Sequence, residues 1–213
     1  AFEVARFGGL ETGEGESPYE VVERRSVYRL RRYFPDAGGD RPPVLLVPPM
    51  MLATEVYDVS AQTSAVAQLH ERGIDPWVVD FGAPEREEGG LERDLTDHVL
   101  AVDEAIERVR ELTGRDVHLG GYSQGGMFCY QAAAYRRSAG IASLFACGSP
   151  VDTQGALPLG IPEEFAEVAA GVVAGVLGRT AVPPWLSRTV FRLLDPAKAT
   201  RQQLEFLRQL HDR

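Results

Sequence analysis

Gly120-Gly121-Tyr122-Ser123-Gln124-Gly125-Gly126 follows the apolar run Val117-His118-Leu119 and precedes a helical pattern beginning near Met127. Within it, Gly121-Tyr-Ser123-Gln-Gly125 is a complete G-x-S-x-G. Between a strand and a helix, the serine of such a motif occupies a strained turn that lifts its hydroxyl clear of the backbone. The small flanking residues let strand and helix approach each other. An ordinary Gly/Ser turn is the alternative. The strand before, the helix after and a third glycine at 126 favour a nucleophile elbow with Ser123 as its nucleophile.

The residues around this stretch set the fold class. Val44-Leu-Leu-Val47 is a continuous apolar run of the kind buried on both faces of a parallel sheet. Pro48-Pro49 ends it, since proline brings no donor to a ladder. Ser60 to Arg72 predicts a helix with Ala61, Ala65, Val66 and Leu69 as its apolar stripe and Gly73 as its stop. Pro76 to Val79 reads as the next strand. Leu91 to Thr113 is the clearest helix, with Leu95, Val99, Val102, Ile106 and Val109 at steps of three and four and Gly114 at the C-terminal cap. Val117 to Gly120 returns to strand, Gly125 to Ala139 to helix and Ile141 to Cys147 to strand. Strands separated by helices at these intervals predict βαβ units and a mostly parallel sheet with helices on both faces, an α/β fold.

The flanks are less regular. Residues 1–18 read as an irregular lead-in, and Tyr19 to Phe34 alternates well enough for one or two strands before a turn at Asp36 to Asp40. Arg24, Arg25, Arg31 and Arg32 are expected on the solvent face of that antiparallel pair, because no glycine-rich cradle or aromatic interleaving accompanies them. From residue 153 the pattern is helical, broken at Pro183-Pro184. Residues 19–152 are therefore expected to form the core part and 153–213 a helical cap or insertion. Val168, Val172, Val173, Trp185 and Phe191 fit an acyl pocket or ordinary helix packing equally.

Composition bounds the function class. The 213 residues are 44% apolar and 25% charged, enough for one sizeable core. Lys and Arg total 22 against 31 Asp and Glu, a formal charge of −9 that gives no support for binding nucleic acid or an anionic membrane. Cys129 and Cys147 sit in apolar surroundings and are expected as buried thiols, with no disulfide framework, metal site or bound cofactor indicated. No stretch reaches the about 20 apolar residues of a membrane span, and a cytoplasmic location is expected.

Several stretches together resemble the polyhydroxyalkanoate synthases and their synthase-like relatives in the α/β-hydrolase superfamily. They are Val47-Pro48-Pro49, the Gly121-x-Ser123-x-Gly125-Gly126 turn, Ser149-Pro150-Val151-Asp152 after the following strand, and Leu194-Asp195-Pro196-Ala197. The likeness covers most of residues 42–211. It implies an α/β-hydrolase-like fold and acyl transfer from a coenzyme A thioester, through a covalent acyl-enzyme, to a hydroxyl of a growing hydroxyacyl polymer. Those synthases carry cysteine where Ser123 stands. A serine hydroxyl needs a positioned base and forms an oxygen ester, which brings lipid ester or thioester hydrolysis forward as an alternative.

The rest of the catalytic set is less evident. The superfamily order is nucleophile, acid, histidine. Only His211 follows Ser123, at the end of a predicted helix, and His70, His98 and His118 fall within helices or on the strand before the turn. Asp152 is a candidate acid or a turn residue. The resemblance implies further strands, an acid and a histidine beyond Arg213, so the chain is expected to be part of a longer protein or a processed portion of one, with the remaining C-terminal part or a homo-oligomer as the expected macromolecular partner. A noncatalytic binding protein is the reading that the missing histidine supports. The oxyanion donors are expected at the Gln124 amide and, because Pro48 and Pro49 have no N–H, at Met50, with Met51 in reserve. The expected partner is an apolar acyl ester or an acyl-coenzyme A substrate.

Overall fold

A computed structural model describes residues 17–37, 40–50, 54–60, 63–84, 86–151 and 201. Ala1–Val151 makes up one compact unit and Asp152–Arg213 a second. Among its described residues the first carries six strands, β1 (Tyr19–Arg24), β2 (Arg29–Tyr33), β3 (Pro43–Val47), β4 (Asp75–Asp80), β5 (Val117–Tyr122) and β6 (Ile141–Cys147). Its α-helices are α1 (Ala65–Glu71), α2 (Leu95–Thr113) and α3 (Gln124–Tyr135), with a 3-10 turn at Thr54–Tyr57. The expected helical segment 153–213 lies outside the described residues, apart from Arg201.

The strands form one sheet in the order β1-β2-β4-β3-β5-β6. β1, β2 and β4 pair antiparallel, while β4, β3, β5 and β6 run parallel. The mostly parallel α/β architecture is the one that the strand–helix alternation predicts. β3 shows why an unbroken apolar run was needed. Leu45 and Val47 face a core shared with Trp77, Val79, Val117 and Leu119, covered by α2 and α3 through Val102, Ile106, Val109 and Phe128. Val44 and Leu46 face the other way, onto Tyr33, Val78, Tyr57 and Val66 of α1. Every residue of β3 is buried.

Helix ends depart from the sequence expectation where a side chain caps. α1 starts at Ala65 rather than Ser60, because the Ser64 hydroxyl accepts from the Ala67 amide at 3.0 Å. α2 starts at Leu95 rather than Leu91: Asp94 and Asp97 form a reciprocal capping box, each carboxylate accepting from the other's amide. Gly114 closes α2 with φ 68°, as expected of a left-handed cap. α3 stops at Tyr135, short of Ala139, where Arg137 and Ser138 turn the chain at φ 50° and 60°.

Two expectations are corrected. Of the arginines expected on a solvent face, Arg24 and Arg25 are exposed, but Arg31 and Arg32 do not simply decorate it. The antiparallel register brings β2 alongside the acidic ends of β4, so Arg31 donates to Asp80 at 2.7 Å and Arg32 to Asp75 at 3.2 Å, while Arg29 pairs with Asp80 and Glu87. Burial alone would raise the Asp80 carboxyl; the hydrogen bonds from Arg31 and the Gly82 amide, with the charges of Arg31 and Arg29, outweigh it and hold the group below its ordinary value. The second concerns the thiols. Cys129 is buried, and burial pushes its pKa up, but Cys147 is exposed at the end of β6, one of the two edge strands among the described residues.

Candidate active site

Ser123 leaves β5 in a conformation that few residues other than glycine adopt, with φ 54° and ψ −124°. Such a backbone costs of order 1–3 kcal/mol and persists only where its surroundings fix it. Here the Ser123 amide donates to the Cys147 carbonyl at 2.8 Å, extending the β5–β6 ladder by one bond. The Ser123 carbonyl accepts from the Gly126 amide at 3.1 Å, which begins α3. Ser123 occupies the N-cap position of α3, yet its side chain makes no capping hydrogen bond, so the hydroxyl is not spent on the helix.

The glycines explain how the turn closes. A Cβ on Gly121 would enter the backbone of Gly125 and Gly126, where strand and helix touch. One on Gly125 would lie 2.7 Å from the Val47 carbonyl carbon and closer still to its oxygen. One on Gly126 would lie 2.9 Å from Ser149 Cβ and 3.0 Å from Ala146 Cβ. The three positions pin the start of α3 against the ends of β5, β3 and β6 respectively.

β3 pairs with β4 on one side and β5 on the other, so the strand order reverses at β3. In open α/β sheets, ligands gather at the carboxyl edge of such a reversal. Val47, the last residue of β3, pairs with Gly121. Pro48 to Met50 therefore leaves the sheet on the same edge as Ser123, with Met50 partly buried against the core. The Tyr57 hydroxyl reaches the same place: it donates to the Val47 carbonyl at 2.7 Å and accepts from the Tyr122 amide at 3.1 Å. Burial raises the Tyr57 phenol well above its ordinary pKa, so it remains protonated as that donor. Val56, Tyr57, Gly121, Tyr122, Phe145 and Cys147 line an apolar hollow of about 390 Å³ beside the turn.

The described histidines are engaged elsewhere. His70 stacks on Phe34, with ring centroids 4.1 Å apart. His98 is buried, stacked on Phe128, with Nδ1 2.6 Å from the Asp94 carbonyl. His118 lies on β5 with Nδ1 2.7 Å from Ser143 Oγ. His211, Asp152 and Met51 lie outside the described residues. Gln124 opens α3 immediately after Ser123, so its amide belongs to the positive end of that helix. Its Oε1, like Ser149 Oγ, is buried without a hydrogen-bond partner among the described residues. Tyr57 is the residue at this edge that sequence reasoning missed. It stands in a stretch with neither helical nor strand periodicity, and its partners are 10 and 65 residues away in the chain.

No protein-family profile matches the chain. It is 30% identical over 193 residues to the poly(3-hydroxyalkanoate) polymerase subunit PhaC of Haloferax mediterranei, covering 88% of this chain and 38% of that protein. It is 27% identical over 164 residues to the protein of the same name from Haloarcula marismortui, covering 71% of this chain and 33% of that one. The chain thus spans about a third of the length of these two relatives. Among solved structures, the lipase BlEst2 of Bacillus licheniformis in its propeptide form superposes with a TM-score of 0.50 at 17% identity, over 73% of this chain and 32% of the lipase.

Proposed function

We propose that this chain, polyhydroxyalkanoate synthase-like and of the α/β-hydrolase superfamily, carries the nucleophile of a serine-dependent acyltransferase in its complete form. The observation that carries the reading is Ser123 itself. It is a serine held at φ 54° on a strand-to-helix turn, at the sheet's topological reversal, with its hydroxyl left out of helix capping. A turn with no chemistry to perform gains nothing from a non-glycine residue in that conformation, since glycine would adopt it without strain.

The proposed reaction begins when Ser123 Oγ attacks the carbonyl carbon of an ester or coenzyme A thioester as a base takes the hydroxyl proton. The tetrahedral oxyanion is met by the amides of Gln124 and Met50. Collapse breaks the C–O or C–S bond, the alcohol or thiol leaves with the proton, and an oxygen ester on Ser123 remains. A hydroxyl, or water, then attacks that ester and frees Ser123. Because His70, His98 and His118 are engaged elsewhere, the base comes from outside the described residues, either His211 or a histidine of a longer chain, with Asp152 as a candidate for its orienting acid.

Likeness to the PhaC subunits favours a hydroxyacyl acceptor. The serine in place of cysteine is the specific observation favouring the second reading, a lipid esterase or thioesterase in which water is the acceptor. Product partition separates the two: with a 3-hydroxyacyl-coenzyme A substrate, a transferase releases coenzyme A and accumulates oligoester, whereas a hydrolase releases coenzyme A and free acid in equal amounts. Ser123→Ala should abolish either product in the complete protein. Turnover unchanged by that substitution would remove the reading, and absence of any turnover by the unsubstituted complete protein would favour a noncatalytic binding role.

A further inference from the structure

We propose that Tyr57 is a positioning residue for the oxyanion site, acting through a hydroxyl that ties the two donor-bearing segments together. The proposal rests on the acyl chemistry assigned above to Ser123. The Tyr57 ring is buried against the core residues Val44, Leu46, Val66 and Val78. That packing holds its hydroxyl at the open end of the β3–β5 ladder.

Both partners of the hydroxyl belong to the last residues before the segments that matter. Val47 O, 2.7 Å from Tyr57 Oη, immediately precedes Pro48-Pro49-Met50. Tyr122 N, 3.1 Å from Tyr57 Oη, immediately precedes Ser123. Beyond Val47 the β3 side has no backbone donor until Met50, because two prolines follow, so the ladder cannot carry the register of β3 and β5 any further. A single neutral hydroxyl, donating to one strand and accepting from the other, takes over at that point. Gly125 approaches the same Val47 carbonyl so closely that a Cβ there would collide with it. The Val47 carbonyl is thus a common reference for the Met50 loop, through the peptide chain, and for the start of α3, through Gly125. Tyr57 fixes that reference against the residue before the nucleophile. Its contribution should appear when the oxyanion forms, because two amides must then converge to hydrogen-bonding distance of one atom, whereas substrate binding does not require that convergence.

The test is Tyr57→Phe in the complete protein, which keeps the ring and removes only the hydroxyl. With a p-nitrophenyl acyl ester we expect kcat to fall by tenfold or more with KM within twofold of its original value. The affinity for a boronic acid that forms a tetrahedral adduct on Ser123 should fall in parallel. A merely structural role would lower the folded fraction, seen in a urea titration, and would leave the kcat of the folded molecules and their boronate affinity unchanged; that result overturns the proposal, as does unchanged kcat. If Tyr57→Phe does not fold, 4-aminophenylalanine at position 57 retains a donor to Val47 O and accepts only weakly from Tyr122 N. It should then fold and lose kcat by about threefold or more at constant KM, and an unchanged kcat overturns the proposal there too. Ser123→Ala distinguishes the two levels of failure. Turnover surviving Ser123→Ala removes the acyl chemistry itself, whereas its loss beside an unchanged Tyr57→Phe removes only the role of Tyr57.

Discussion

Gly125 is the residue at which the turn and the β3 edge meet most tightly. The group in its way would be backbone, the Val47 carbonyl, and not the end of a flexible side chain. Gly125→Ala should therefore destabilise the protein by about 2 kcal/mol or more, read as a lowered urea midpoint. Gly73→Ala is the control: Gly73, unlike Gly125, has positive φ, 79°, and a Cβ there meets nothing within 4 Å. It should cost only the backbone strain, about 1 kcal/mol. Equal losses at the two positions would contradict the close approach of α3 to β3. The glycines and Ser123 were legible in the sequence because a strand-to-helix turn is a local event, completed within seven consecutive residues. Tyr57 was not legible, because its role exists only once residues 47, 57 and 122 have been brought together.

At the scale of elements, the joint between β2 and β4 is held by charge as well as by the ladder. The side chains of Asp80 and Arg31 are 4% and 15% exposed, so each is largely removed from water and depends on the other. Asp80→Asn should cost about 3 kcal/mol, since it leaves Arg31 short of its counter-charge in a mostly buried place. The pH dependence follows from the lowered Asp80 pKa. A carboxyl bound more weakly to its proton in the folded state contributes stability that is fully present above the unfolded value of about 3.9 and is lost as pH falls through the lower folded value. The stability difference between the original protein and Asp80→Asn should therefore be constant from pH 7 to about pH 5 and shrink below about pH 4. A difference independent of pH over that range would contradict the ion pair. These pairs were hidden in the sequence, where Arg31 and Arg32 look like part of an exposed set with Arg24 and Arg25; only the β2–β4 register sets them against Asp80 and Asp75. Helix bodies, by contrast, were read from apolar spacing, and their ends were misplaced by four or five residues at Ser64 and Asp94. Capping depends on which side chain reaches an amide, and apolar periodicity does not report that.

At the scale of the whole molecule, the α/β order was legible because each β3-type apolar run alternates with an amphipathic or apolar helix of the right length. The catalytic set was not, since the chain spans 38% of its Haloferax relative and the described histidines all point into other contacts. Substrate class is the matching prediction. If the complete protein closes an apolar site over the hollow lined by Val56, Tyr57, Tyr122 and Phe145, kcat/KM should rise with acyl length by a factor reflecting up to about 0.8 kcal/mol per methylene buried. A flat dependence across acyl-coenzyme A thioesters from C4 to C10 would contradict an apolar acyl site. The central claim is narrower, that Ser123 is the atom donor to the acyl bond, and peptide mass spectrometry tests it directly. After incubation of the complete protein with a fluorophosphonate or an acyl thioester, the adduct should map to Ser123 and vanish in Ser123→Ala. An adduct on another residue, such as the exposed Cys147, with Ser123 unmodified would contradict it.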